Sequence, residues 1–269
     1  MREESPRRRR ISRTPPAPRP GRFFAPGGPR VFAHRGLAID APENTLLAFR
    51  RAIAAGATHL ETDVHASRDG IAVISHDPDL SRLVGHDARV EDLSMAELRA
   101  IDLGFDQPFC SLEEALEALP DALFNIDVKT ERAERPTAVA IAAAAATDRV
   151  LITSFSEARR RRTADALTGV ATSASVVRFL PAVLAAKMGL SPLVRRALRG
   201  LDAVQVPERR GAFRIVSPRT VRAMHAAGVE VHVWTVNDPL DMGRLLDWGV
   251  DGLVTDRCDL AVEVIRSRS

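Results

Sequence analysis

The 269 residues are 45% hydrophobic but only 4% aromatic, enough for one large core packed from Val, Leu, Ile and Ala. Two cysteines, Cys110 and Cys258, exclude a disulfide framework, and no run of about 18 apolar residues exists to span a membrane. Residues 1–29 hold eight Arg against two Glu, so the net +3 of the whole chain leaves −3 on residues 30–269, which excludes a basic nucleic-acid-binding body.

That first segment is rich in Pro and Gly, has no periodic apolar face, and is expected to be a disordered tail at least up to Phe23. Arg7 to Arg10 read as a solvated extension, with transient contact to an anionic membrane surface or to nucleic acid as the alternative. No apolar stretch follows the basic start, so it does not read as a Sec signal, and a cytoplasmic enzyme is expected. From residue 30 short apolar runs alternate with amphipathic stretches. Strands are expected at Arg30–Ala33, Thr58–Val64, Ile71–Ser75, Leu123–Val128, Val150–Thr153, Val170–Ser173, Ala203–Val206, Glu230–Val236 and Gly252–Thr255. Helices are expected at Thr45–Ala55, Ser94–Ile101, Leu112–Leu119, Pro136–Ala146, Glu157–Leu167, Pro218–Ala227, Pro239–Trp248 and Leu260–Arg266. Ser111, Ser156, Ser217 and Asp238 stand where N-caps belong, and Gly56, Gly228 and Gly249 stand just past helix ends. Such alternation means parallel strands with helical crossovers. Without a G-x-G-x-x-G after the first strand, a (β/α)8 TIM barrel forming a single domain over residues 30–269 is favoured over an open nucleotide-binding sheet.

Ionisable and polar residues end these apolar runs: His34 and Arg35, Glu61 and Asp63, His76 and Asp77, Asp127 and Lys129, Ser154, Trp234 and Asn237, and Asp256. Buried singly, each would cost several kcal/mol. In a parallel barrel all of them surround one mouth, where barrel enzymes keep their chemistry. Alternation puts Glu61 and Asp63 on one face, and Asp127 and Lys129 on one face. Three converging carboxylates call for a hard divalent cation, Mg²⁺ or Ca²⁺, or else for pairing with Arg35 and Lys129 as an ion cluster. His34 and His76 suit general acid–base work, while Arg35 and Lys129 suit an oxyanion. His59, His65, His86, His225 and His232 read as structural, His65 being the one that could stand just behind the acidic pair.

The stretch FAHRGLAIDAPENTLLAFRRAIAAGATHLETDVHASRDGIAVISHDPDLSR strongly resembles the glycerophosphodiester phosphodiesterase family. HRG, PENT with AF, ETDV, DG and HD follow in that family's order and spacing, and NIDVK, ITSF, VWTVN and GVDGLVTD look like its later motifs. The resemblance spans residues 31–265. It implies one divalent cation, Mg²⁺ or Ca²⁺, on Glu61, Asp63 and Asp127, with His34 and His76 as the acid–base pair. Arg35 and Lys129 would contact phosphate, and Trp234 of the VWTVN run is a further substrate-binding candidate. Glu43 and Asn44 would brace the loop after the first strand. The family usually has Glu where Asp127 stands. Asp127 is one methylene shorter, so it reaches the metal through water or through an inward shift of backbone.

The implied reaction releases glycerol phosphate and an alcohol from a small glycerophosphodiester. A lysophospholipase D-like or sphingomyelinase D-like enzyme on lipid substrates is one alternative, and an inactive module that binds phosphorylated ligands is another. A metal-dependent amidohydrolase would want H-x-H where this chain has HRG. Residues 175–200 are apolar and basic; they read as ordinary barrel helix with a loop, or as a flap against lipid.

Overall fold

The computed structural model describes residues 21–25 and 27–268, so the arginine run at 7–10 lies outside the described residues. Eight parallel strands form the framework. They are β1 (Arg30–His34), β2 (His59–Ala66), β3 (Leu123–Val128), β4 (Val150–Thr153), β5 (Ala171–Ala174), β6 (Ala203–Pro207), β7 (Glu230–Trp234) and β8 (Gly252–Thr255). Each pairs with the next, and β8 pairs back onto β1, so the sheet closes into a (β/α)8 barrel. The outer ring consists of α1 (Leu46–Ala55), α2 (Leu112–Ala118), α3 (Glu134–Ala143), α4 (Glu157–Asp165), α5 (Val176–Met188), α6 (Ser191–Ala197), α7 (Pro218–Ala226), α8 (Pro239–Asp247) and α9 (Cys258–Arg266). No helix among the described residues is long and apolar enough to cross a membrane.

Local chemistry sets the helix ends. Ser111 and Ser217 make capping boxes with Glu114 and Thr220, Ser156 accepts from the Arg159 N–H, and Asp238 accepts from Leu240 and Asp241. The run expected as a strand at Ile71–Ser75 is not a barrel strand. Residues Ala72–Ile74 pair antiparallel with the far end of β2, from Val64↔Ile74 to Ala66↔Ala72. They open an excursion to residue 111 with its own small core of Val73, Leu80, Val90, Met95, Leu98 and Phe109. This excursion carries His76 to the mouth of the barrel.

Phe23 corrects the extent of the expected tail. Arg22–Phe24 forms a 3-10 turn, and the Phe23 ring is 1% exposed, packed with Phe32, Leu123, Leu151, Ala203 and Val254 in the foot of the barrel. The polar composition of the segment hides this anchor, because two adjacent aromatic residues are enough to fix one turn when a hydrophobic recess waits for them. Beside it runs a buried polar chain. Arg30 donates to both oxygens of Glu230 at 2.7 Å, His232 shares a hydrogen bond with Glu230, and Gln205 reaches from His232 to Asn125.

His59 Nε2–H donates to the Phe23 carbonyl at 2.9 Å, and the ring is 1% exposed. Burial, with the nearby Arg30 charge acting the same way, pushes its pKa from 6.5 down to about 3. The unfolded chain therefore takes up a proton near pH 6.5 that the folded chain refuses until about pH 3. Between those values stability falls with falling pH by roughly 1.4 kcal/mol per unit. In urea titrations, His59→Gln should reduce the stability difference between pH 7 and pH 5 by about 2 kcal/mol. An unchanged difference would show that this ring does not govern the acid side.

Candidate active site

The registers place the expected residues side by side. His34 lies opposite Glu61 between β1 and β2, and Asp63 lies opposite Asp127 between β2 and β3. In-register partners of parallel strands point to the same side, so these groups converge at the C-terminal mouth. After His34 the chain turns sharply. Arg35 and Gly36 both take positive φ, at 58° and 85°, and a Cβ on Gly36 would lie 2.7 Å from the Ala48 Cβ. That turn brings the Arg35 N–H to Glu61 Oε2 at 3.1 Å and its side chain to Asp63 Oδ2 at 3.4 Å. Asn44 accepts from the Thr62 hydroxyl and donates to Asp63 at 3.3 Å, fixing the PENT loop on β2.

Lys129 is the centre of the acidic group. Its ammonium stands 2.6 Å from Asp63 Oδ1 and 2.7 Å from Asp127 Oδ2. Burial alone would raise the Asp63 pKa, but Lys129 and Arg35 overcome it and hold the carboxyl below its usual range. Burial wins at Asp127, which is raised, and at Glu61, where burial and the Asp63 charge push the pKa up to about 8. Three carboxylates thus face two permanent cations, and Asp127 Oδ1 is buried without a hydrogen-bond partner. Among the described residues no three acidic, imidazole or thiol side chains form a ready cage, because Lys129 stands between two of them. The three carboxyl groups nevertheless offer oxygen donors only, one of them buried without a partner, a chemistry that fits a hard divalent cation.

Both imidazoles carry a carboxylate on Nδ1. His34 Nδ1 is 2.7 Å from Asp256 Oδ1, and His76 Nδ1 is 2.7 Å from Asp77 Oδ1. Asp256 is itself held by the Asn237 amide at 2.7 Å. His34 Nε2 lies 4.0 Å from Glu61 Oε2. Burial lowers the His34 pKa, but the Asp256 hydrogen bond and the Glu61 charge outweigh it, and the net shift is upward. Asp77 also receives the Arg82 Nε–H at 2.5 Å, and Arg82 grips Glu43 at 2.5 and 3.2 Å, while Glu43 accepts from Arg35 at 3.1 Å. One chain of charges therefore ties His76 to Arg35 across the mouth. His65 hydrogen-bonds the His76 carbonyl at 3.2 Å, bracing the same loop from behind.

These groups open on a cavity of about 220 Å³. One side is polar, with His34, Arg35, Glu61, His76, Asp127 and Lys129; the other is apolar, with Phe155, Val176, Phe179 and Trp234. Trp234 meets Phe155 edge to face at 6.1 Å. Of the residues assigned a site role from sequence, Glu43 and Asn44 stand behind the cavity and the rest line it. Asp77, Asp256 and Asn237 stood among the strand-end polar groups without a role; each follows an apolar run by one or two residues, the signal that marks an orienting partner. Arg82 gave no such signal, since it meets Glu43 across 39 residues of chain.

A parallel barrel whose mouth gathers two carboxylate-tethered imidazoles beside cations and acids has its polar groups where barrel enzymes keep their active sites. The model of the Glycerophosphoryl diester phosphodiesterase family matches residues 34–260, and the chain belongs to that family, a family of phosphoric diester hydrolases. "Probable glycerophosphodiester phosphodiesterase 2" of Mycobacterium tuberculosis is 43% identical over 248 residues, 91% of this chain and 94% of that protein. "Lysophospholipase D GDPD1" of Mus musculus is 27% identical over 279 residues, 84% of this chain and 83% of that protein. Among solved structures, a phosphodiesterase of Oleispira antarctica in complex with the product sn-glycerol-3-phosphate superposes with a TM-score of 0.73 at 26% identity. That likeness covers 89% of this chain and 97% of the other.

Proposed function

We propose that this chain hydrolyses glycerophosphodiesters to sn-glycerol 3-phosphate and an alcohol, with His34 and His76 as the acid–base pair. The observation that carries the reading is the shared cavity, into which two imidazoles with occupied Nδ1 atoms face beside an acid cluster and two cations. With Nδ1–H donated to a carboxylate, each ring keeps Nε2 for exchange with substrate: one takes a proton from the attacking glycerol hydroxyl while the other gives one to the departing alcohol, and water then opens the resulting cyclic phosphate with the roles reversed, leaving glycerol phosphate. Arg35, whose guanidinium lines the cavity with its Nε 3.4 Å from Asp63 Oδ2, offers the phosphate positive charge, and Lys129 adds a second. Glu61, Asp63 and Asp127 are the residues that would hold a divalent cation, Mg²⁺ or Ca²⁺. When bound, such an ion supplies Lewis acidity that lowers the pKa of a neighbouring hydroxyl and offsets phosphoryl charge. Trp234 and Phe155 shield the apolar edges of the substrate from water. Both cysteines are free and buried, which supports a cytoplasmic setting.

The apolar side of the cavity favours one second reading, the same cleavage on a lysophospholipid. Glycerophosphocholine, glycerophosphoethanolamine and lysophosphatidylcholine should be assayed side by side, with and without chelator. Release of glycerol phosphate that stops on chelation and returns with Mg²⁺ or Ca²⁺ is expected. Faster release of lysophosphatidic acid than of glycerol phosphate would favour the second reading. Turnover indifferent to chelation would remove the cation from the proposal.

A further inference from the structure

Helix α5 is apolar on two opposite faces. Ala182, Val183, Ala185 and Ala186 are buried against the barrel, whereas Val177, Leu180, Leu184 and Met188, at helical spacing, are 63%, 41%, 44% and 64% exposed. Past Gly189 the stripe continues on Leu190 and Leu193, 41% and 50% exposed. Nothing in the core accounts for this second face, and soluble surfaces seldom carry so continuous an apolar strip without a partner.

Charge and position say what kind of partner. From Ala166 to Leu201 the chain has no acidic residue, while Arg195, Arg196 and Arg199 stand exposed on or just after α6. Lys187 lies 4.0 Å over the ring of Phe213, a part-exposed residue of the hairpin that also presents Arg209 and Arg210. Arg178 is excluded from this group because Glu157 already pairs with it. The strip begins at the cavity itself, since Val176 and Phe179 of the same helix line it and Phe155 beside them is 58% exposed. A second copy of the chain is a poor occupant, because a two-fold contact would bring these cations onto their own counterparts. An anionic lipid surface satisfies both halves, taking the apolar stripe into the headgroup boundary and the arginines onto its phosphates.

We propose that α5 and α6 form a docking surface for an anionic phospholipid bilayer, holding the mouth of the active site against the membrane. The test uses the full chain in co-sedimentation with vesicles of phosphatidylcholine alone and of phosphatidylcholine mixed with phosphatidylglycerol. Binding is expected to the mixed vesicles, to weaken as salt rises, and to fall at least about tenfold in Val177→Ser/Leu184→Ser/Met188→Ser. That variant should keep full turnover on soluble glycerophosphocholine, which also reports that it folds. Arg195→Glu/Arg196→Glu, with the stripe intact, should lose the preference for phosphatidylglycerol. Undiminished binding by the triple variant would assign the contact to Arg7–Arg10 and overturn the proposal. It is equally overturned if mixed vesicles bind nothing, or if light scattering shows a dimer that the triple variant abolishes.

Discussion

Alanine at His34 or His76 is expected to lower turnover on glycerophosphocholine by at least about 10²-fold, with KM changed much less. On the proposed mechanism the imidazole carries the proton at each position, so its loss should be felt in the transition state rather than in binding. The partners sharpen the test. Asp256→Asn and Asp77→Asn keep the hydrogen-bonding shape at Nδ1 but remove the charge that fixes the tautomer and stabilises the imidazolium, at 2.7 Å in both cases. Each should cost turnover less than loss of its ring does, and pairing either with the alanine at its own histidine should add little further loss, as expected of groups acting as a unit. Single-turnover rates for the six variants decide it. Near-normal turnover in both alanine variants would refute the acid–base assignment.

The second large effect is expected at Lys129. Its ammonium separates Asp63 from Asp127, and burial raises the cost of leaving those acids unpaired. Lys129→Met should destabilise the fold by on the order of 3 kcal/mol, as removal of one partner from a buried ion group does. It should also slow turnover by about 10²-fold through loss of positive charge in the cavity. Added Mg²⁺ or Ca²⁺ should return more of the lost stability to the variant than it adds to the parent, because the carboxylates then lack their internal cation. Urea titrations of both proteins with and without the divalent ion measure this. A variant as stable and active as the parent would mean that the lysine is a bystander.

The architecture was legible because it is written in local signals. Strand–helix alternation, caps such as Ser217 and Asp238, and polar residues ending apolar runs all act over a few residues, and alternation puts Glu61 with Asp63 and Asp127 with Lys129, whereas the register that sets Asp63 beside Asp127 is a contact between strands far apart in sequence. Long-range rotamer choices were not legible. Whether Lys129 meets a phosphate or bridges two carboxylates depends on where a flexible four-carbon stem folds back, and both outcomes were open in the sequence. Phe23 was misjudged because average composition says little about one aromatic pair that finds a recess. Residues 175–200 stay open in sequence between ordinary barrel helix and a flap against lipid, since a pattern of apolar residues does not say which of two faces the barrel will cover.

Arg82 joins two pieces of chain, the loop after β1 and the excursion after β2, by holding Glu43 and Asp77 at once. On the proposed roles, the residue that would grip the anion and the one that would move the proton are therefore fastened at one wrist, and any drift in the Arg82 guanidinium is shared by both.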